Sequence, residues 1–279
     1  MESKERLNRM LQEKIISLFC LPESQVKREL EGETSNEARS DESRLKLLRH
    51  EFPHFEELVS GADVVDFGCG LGWQSLELAR IGAKKVLGVD INETYLREAA
   101  EKKARVDPEN LLPVEYCDIH DIGPDHKFDL VISQNAMEHY TNPQRVLEQM
   151  LSITKDDGKI LITFGPPWYS PYGSHMHFFC KLPWLNILFS EKAIMSVRER
   201  YRDDGAERFE DVESGLNRMS LSKFENFCRT LGLVFSYRRY RGIKGLDSLS
   251  KIPVLRELFV NRVSVVIARG ARAPGENVA

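Results

Sequence analysis

The chain has 279 residues, 42% hydrophobic and 29% charged, which excludes a disordered or fibrous polymer and suits one large α/β domain with additions. Its formal net charge of −4 removes the electrostatic case for general nucleic-acid binding, so no nucleic-acid partner is expected. No apolar run approaches the roughly 20 residues of a membrane span, and the first residues carry mixed charge rather than a signal core.

Residues 1–60 read as a helical extension. Leu7, Met10, Leu11, Ile15, Leu18 and Phe19 recur at three- and four-residue steps, which gives one apolar face, and Pro22 is expected to end that helix. The polar stretch 31–43 reads as a loop. Leu45, Leu47, Leu48, Phe52, Phe55 and Leu58 predict a second helical region, broken near Pro53. Residues 61–165 then alternate strand patterns (63–67, 85–90, 113–117, 128–133, 159–164) with helix patterns (71–81, 93–105, 143–154). Asn92 suits the N-cap of the second of these helices and Gly82 the C′ position of the first. Such alternation predicts a doubly wound, Rossmann-like, mostly parallel sheet with helices on both faces. Apolar runs such as Val131-Ile132 and Ile160-Leu161-Ile162 fit strands buried on both sides. The rhythm stops at 166–218, too long for an ordinary connection, and this segment reads as an inserted cap. Within it, Arg198 to Arg202 reads as a solvated face. Residues 219–269 return to the core with a helix at 221–231 and strands at 233–240 and 262–268. There Arg238, Arg239, Arg241 and Lys244 cluster, which reads as a solvated strand face or loop. Residues 270–279 read as a tail. The five cysteines are scattered and form no C-x-x-C, which argues for a reducing, cytoplasmic setting.

The most informative segment is Val64-Val65-Asp66-Phe67-Gly68-Cys69-Gly70-Leu71-Gly72. An apolar strand ends in an acid and three glycines follow at alternate positions, so the backbone there can approach a ligand closely. A dinucleotide fingerprint would need a sixth-position glycine where Trp73 or Ser75 stands. In open α/β sheets ligands bind beyond the carboxyl ends of the strands, and candidate residues fall at those ends. Asp90 ends the second strand and could accept hydrogen bonds from ribose hydroxyls. Asp118 follows the third, and Ser133-Gln134-Asn135 ends the fourth. Cys69 reads as a small residue in a tight turn, not a nucleophile.

These positions resemble the class I S-adenosylmethionine-dependent methyltransferases over residues 60–165, with a weaker continuation through the last helix and two strands. The resemblance implies seven strands, the last inserted antiparallel between the fifth and sixth, and S-adenosylmethionine as cofactor. It implies that Asp66 and the loop of Gly68, Cys69, Gly70 and Gly72 face the methionine moiety. Asp90 would hold the ribose and Asp118 would meet the adenine amino group, with Ile91 and Ile119 against the ring. Gln134 and Asn135 would lie near the methionine end. A Glu-His pair like Glu138-His139 recurs in the group that includes ubiquinone- and menaquinone-biosynthesis enzymes. Asn135 stands where some of these have a metal-binding acid, so no metal is expected.

Two regions compete for the acceptor side. Around Met137-Glu138-His139-Tyr140, the pair either organises the loop or supplies His139 as a base. In 165–179, His175 or His177 could serve as base while the aromatics wall a pocket or pack the cap. The apolar run 182–189 reads as buried cap structure, with a lipid-like acceptor or peripheral membrane contact as the alternative. The expected activity is methyl transfer to a small-molecule or lipid-like acceptor, with oxygen preferred on the strength of the candidate bases alone. A non-catalytic S-adenosylmethionine-binding or interaction protein of the same fold is the alternative. A base-amino methyltransferase is disfavoured because Ser133-Gln134-Asn135-Ala136 stands in place of Asn/Asp-Pro-Pro-Tyr.

Overall fold

The computed structural model describes residues 2–28, 45–123, 125–212 and 215–269, so the expected loop at 31–43 and tail at 270–279 lie outside the described residues. The chain opens with α1 (Glu2–Ser17), then α2 (Lys46–Glu51) and α3 (Phe55–Val59) on either side of Pro53. The core follows as β1 (Asp63–Phe67), α4 (Trp73–Arg80), β2 (Lys85–Asp90), α5 (Glu93–Val106), β3 (Val114–Asp118), β4 (Phe128–Gln134), α6 (Pro143–Ile153) and β5 (Thr154–Phe164). The inserted segment carries α7 (Leu185–Leu188) and α8 (Glu191–Arg198). The chain closes with α9 (Leu221–Thr230), β6 (Leu233–Gly242), α10 (Arg256–Phe259) and β7 (Val260–Arg269).

The seven strands form one sheet in the order β3-β2-β1-β4-β5-β7-β6. All pairs from β3 to β5 are parallel, while β7 runs antiparallel to both β5 and β6. Successive residues on a strand face opposite sides. Val65, Val131, Ile160 and Ile162 accordingly join one core with α6 and α9, and Val64, Ile132 and Leu161 join another with α2, α3 and α4. Both faces are covered, which is why these strands carry apolar runs rather than alternation. Local signals match the element ends. The Asn92 side chain accepts from the amides of Thr94 and Tyr95, and Gly82 takes φ +100° just past α4.

A third core joins the cap to the N-terminus: Ile16 and Val26 pack with Phe179, Leu185, Ile194, Val197 and Phe209. Here the structure departs from the sequence reading. The helix ends at Ser17, not Pro22, because residues 19–21 pair with 179–181 across an antiparallel bridge between Cys20 and Cys180. Pro22 instead opens a helical turn at 23–28, where its carbonyl accepts from Gln25 and Val26. The buried contact of α1 is Ile16, fully buried, while Leu7, Leu11 and Leu18 of the expected apolar face are 68%, 56% and 80% exposed. Arg198 is not on a solvated face. It is buried, and its guanidinium donates through two nitrogens to the two carboxylate oxygens of Asp204 at 2.6 and 2.5 Å. The basic cluster on β6 is engaged at the junction with the N-terminal helices: Arg241 reaches the buried Glu51 at 2.8 Å, and Arg239 donates to the His50 carbonyl at 3.0 Å.

Candidate functional site

The strand order reverses between β1 and β4, and the glycine loop leaves β1 at that point. Gly68, Gly70 and Gly72 all take positive φ, at +78°, +51° and +73°. The loop is held from below, since the amides of Gly68 and Cys69 both donate to the Val89 carbonyl at the end of β2, at 2.8 and 2.9 Å. The buried Lys102 of α5 donates to the Leu71 carbonyl at 3.0 Å. Asp90 fastens the loop from the side. Its Oδ2 accepts from the Gly70 amide at 2.9 Å and its Oδ1 from the Asn92 amide at 3.0 Å. Each carboxylate oxygen keeps acceptor capacity beyond these bonds.

A Cβ on Gly70 would meet nothing within 4 Å, whereas one on Gly72 would lie 2.5 Å from the Tyr116 hydroxyl and one on Gly68 3.2 Å from the Tyr140 hydroxyl. Gly70 therefore opens onto free space. That space is a cleft of about 1260 Å³, lined by Gly68, Gly70, Asp90, Ile91, Ile119, Asn135, His139 and Tyr140 among others. Ile91 is 68% exposed at its edge, an apolar side chain left uncovered.

The remaining candidates sit elsewhere. Asp66 lies buried beneath the loop, where Gln74 Nε2 and Ser75 Oγ each donate to it at 2.6 Å. Burial pushes its carboxyl up to about 6, against the lowering effect of those two bonds. Cys69 is buried in the turn, and burial raises its thiol far above the ordinary range. Asp118 caps the short helical turn after β3 by accepting from the His120 amide at 2.8 Å, while Ile119 and His120 reach the cleft wall. Gln134 and Thr163 are register partners on β4 and β5, and Gln134 Oε1 and Thr163 Oγ1 are buried without a hydrogen-bond partner among the described residues.

On the acceptor side, Glu138, His139 and His175 come together and His177 does not. Glu138 is buried: its Oε1 accepts from the Gly165 amide at 3.2 Å, and its Oε2 has no partner among the described residues. Burial raises its carboxyl. His139 Nδ1 stands 2.7 Å from the Gly215 carbonyl, and the His139 and His175 rings meet edge to face at 5.7 Å. A carbonyl only accepts, so the neutral His139 carries its proton on Nδ1 and leaves Nε2 as an acceptor. Burial holds His175 down at about 4, and its Nε2 faces the Pro166 carbonyl at 3.3 Å. His177 lies on the exposed side of its turn, near Tyr172. Asn217, at the far end of the cap, clasps this loop, with its side-chain amide donating to the carbonyls of Met137 and Tyr140, both at 2.8 Å.

Two contributors had little or no local signal. Tyr140 lies over Gly68, bonded to Ser133 Oγ at 2.9 Å and to the Phe67 carbonyl at 3.2 Å, and was legible only as a neighbour of the Glu-His pair. Arg262 arrives from β7 and donates to Asn135 Oδ1 at 3.3 Å, a contact that only the inserted strand creates.

A family model described as "Methyltransferase domain" matches residues 58–165. A mitochondrial ubiquinone biosynthesis O-methyltransferase of Dictyostelium discoideum is 29% identical over 114 residues, which covers 38% of this chain and 36% of that protein. A ribosomal protein L11 methyltransferase of Neisseria gonorrhoeae is 33% identical over 110 residues, 38% of this chain and 34% of that one. The crystal structure of an S-adenosylmethionine-dependent methyltransferase from Mesorhizobium loti superposes with a TM-score of 0.51 at 17% identity, over 80% of this chain and 96% of that one, and shows the shared fold. Segment 58–165 thus matches a methyltransferase domain, and the chain shares its fold with an S-adenosylmethionine-dependent methyltransferase. S-adenosylmethionine is the cofactor that the sequence resemblance implies for such a domain. The chain spans only about a third of the length of the two curated relatives just named.

The residues present fit that cofactor. Gly70 opens to the cleft where a side chain would intrude, Asp90 offers carboxylate acceptors beside it, and Ile91 leaves an apolar surface bare for a ring.

Proposed function

We propose that the protein transfers a methyl group from S-adenosylmethionine to a small-molecule or lipid-like acceptor, with oxygen as the receiving atom. The observation that carries this reading is the open Gly70 braced by Asp90 at the head of the cleft. The cofactor supplies an electrophilic methyl on a sulfonium. In this reading Asp90 holds ribose hydroxyls, Ile91 and Ile119 flank the adenine, Asp118 stays near its edge, and Gln134 and Asn135 face the methionine end. A hydroxyl acceptor must lose a proton as it attacks. His139 is the base, through Nε2, because the Gly215 carbonyl fixes its proton on Nδ1. His175, kept neutral by burial, positions that ring edge-on. Glu138 sets the loop through the Gly165 amide. The cap shields the reaction from water.

The ubiquinone-pathway relative supports oxygen as the target. The ribosomal-protein methyltransferase shares the same core, so the choice of a small acceptor rests on the cap. There Trp168 packs edge-on against Phe209 at 5.0 Å, while Tyr169, Tyr172, Ile187 and Leu188 remain exposed.

Calorimetric titration with S-adenosylhomocysteine, with NAD and NADP as controls, tests the cofactor half. Saturable binding of the first alone is expected, and Asp90→Asn should weaken it by tenfold or more. A screen of hydroxylated acceptors, read by mass for the gain of one methyl group, tests the rest. Binding without turnover on any acceptor class would favour a non-catalytic S-adenosylmethionine-binding protein.

A further inference from the structure

Outside the cleft, Cys20 and Cys180 stand directly opposite each other in an isolated antiparallel bridge. The Leu21 amide donates to the Phe179 carbonyl at 2.7 Å and the Lys181 amide to the Phe19 carbonyl at 3.2 Å. These flanking bonds make the cysteines a non-hydrogen-bonded pair, the kind whose Cα atoms lie closest, near about 4.5 Å. Disulfides span Cα separations of roughly 4.4–6.8 Å, so the backbone already meets the requirement. The Cys20 thiol itself donates to the Ile16 carbonyl at 3.3 Å. Cys180 is buried among Ile16, Val26, Phe179 and Leu185, and Cys20 is partly exposed.

We propose that Cys20 and Cys180 are a redox cross-linking site, at which a small disulfide of the glutathione type oxidises the pair and fastens the N-terminal segment to the cap. In the first exchange the partly exposed Cys20 sulfur attacks the small disulfide, forms a mixed disulfide and releases one small thiol. The Cys180 sulfur then attacks the Cys20 sulfur, closes the intramolecular bond and releases the second. Each protein thiol proton leaves on one small thiol, the pair is oxidised by two electrons, and the small disulfide is reduced by two. Cys69, Cys117 and Cys228 lie on other elements of the core and carry no such opposed neighbour among the described residues.

The test uses the full chain and does not depend on methyl transfer. The reduced protein is equilibrated with oxidised glutathione, remaining thiols are alkylated, and peptides are mapped by mass without reduction. A linked pair containing Cys20 and Cys180, two hydrogens lighter than its parts, is expected, with Cys69, Cys117 and Cys228 alkylated. Cys180→Ser should stop at a glutathione adduct on Cys20. Alkylation of both residues in the wild type, or a persistent adduct on Cys20, would overturn the site. The bond closes a loop of about 160 residues, so the oxidised wild type should unfold roughly 5–10 °C above the reduced protein. An unchanged unfolding temperature in a chain shown to carry the bond would overturn the fastening.

Discussion

Gly68, Gly70 and Gly72 share one backbone conformation and answer to three different neighbours. Gly68 lies under Tyr140, Gly72 against Tyr116 and Ala99, and Gly70 faces the open cleft. Their substitutions should therefore separate. Gly72→Ala adds a left-handed strain of about 1–2 kcal/mol to an overlap with Tyr116 and Ala99, and is expected to cost about 2–4 kcal/mol in denaturant unfolding. Gly70→Ala carries only the strain, about 1–2 kcal/mol, yet puts a methyl group into the cleft. It should weaken S-adenosylhomocysteine binding tenfold or more by calorimetry. Equal stability losses in the two variants would reject this division. At the acceptor side, His139→Gln removes the proposed base while keeping an amide able to reach the Gly215 carbonyl. Turnover on an identified acceptor should drop by about 10²–10⁴ with cofactor affinity unchanged, and a full-rate variant would assign the proton elsewhere. Sequence alone showed the glycines and Asp90, because a loop that must approach a ligand leaves its mark in consecutive residues. It could not show that Asp66 bonds Gln74 and Ser75, or that Arg262 meets Asn135. The first depends on the direction of a side chain and the second on a contact 127 residues apart in the chain.

At the scale of elements, β1, β2, α5 and α6 were the most legible. Strands buried on both faces spell near-continuous apolar runs, and Asn92 and Asn142 cap the helices that follow. The periodicity of α1 was also real, but periodicity names a face and not its occupant: the helix buries Ile16 and turns Leu7 and Leu11 outward. Similarly, the charge run beginning at Arg198 concealed a buried arginine paired with the more exposed Asp204, since composition cannot tell which arginine of a run turns inward. The attachment of α2 to the antiparallel end of the sheet rests on one such buried charge. Glu51 is fully buried, 2.8 Å from Arg241 Nη1 on β6 and 3.0 Å from Ser264 Oγ on β7. Removing it with Glu51→Ala leaves Ser264 without its acceptor and Arg241 without its carboxylate partner. A loss of about 2–4 kcal/mol in urea unfolding is expected, with no change in S-adenosylhomocysteine affinity. A neutral result would mean that apolar packing alone holds the helix pair.

The whole molecule brings together three cores, two across the sheet and one that joins the N-terminal segment to the cap. Its response to acid reflects two groups of opposite sign, the buried Asp66 and the partly buried His175. His175 ionises at about 4 in the folded chain against 6.5 when free, because burial disfavours its cation. The unfolded chain therefore takes up a proton that the native one refuses, and stability present above pH 6.5 is lost as the pH falls towards 4. Asp66, raised from 3.8 to about 6 by burial, acts the other way: the native chain keeps a proton that the unfolded one has released, so stability falls as pH rises through that window. The two oppose each other between about pH 4 and 6, so the wild-type curve alone would hide them. A comparison with His175→Gln isolates the first. The stability advantage of the wild type should be larger at neutral pH than near pH 4 by roughly 2 kcal/mol, and a pH-independent difference would reject the assignment. The position of β7 bears on how the chain is made. It is last of the strands in sequence but lies between β5 and β6 in the sheet. A ribosome delivering residues in order completes the five parallel strands at residue 164 and then leaves the outer edge of β5 bare until 260–269 emerge. Throughout that interval the nascent chain presents Ile160, Leu161 and Ile162 along an unpaired edge, the arrangement most open to pairing with a neighbouring chain. Protection of the newborn polypeptide is therefore postponed until residues 260–269 have been translated.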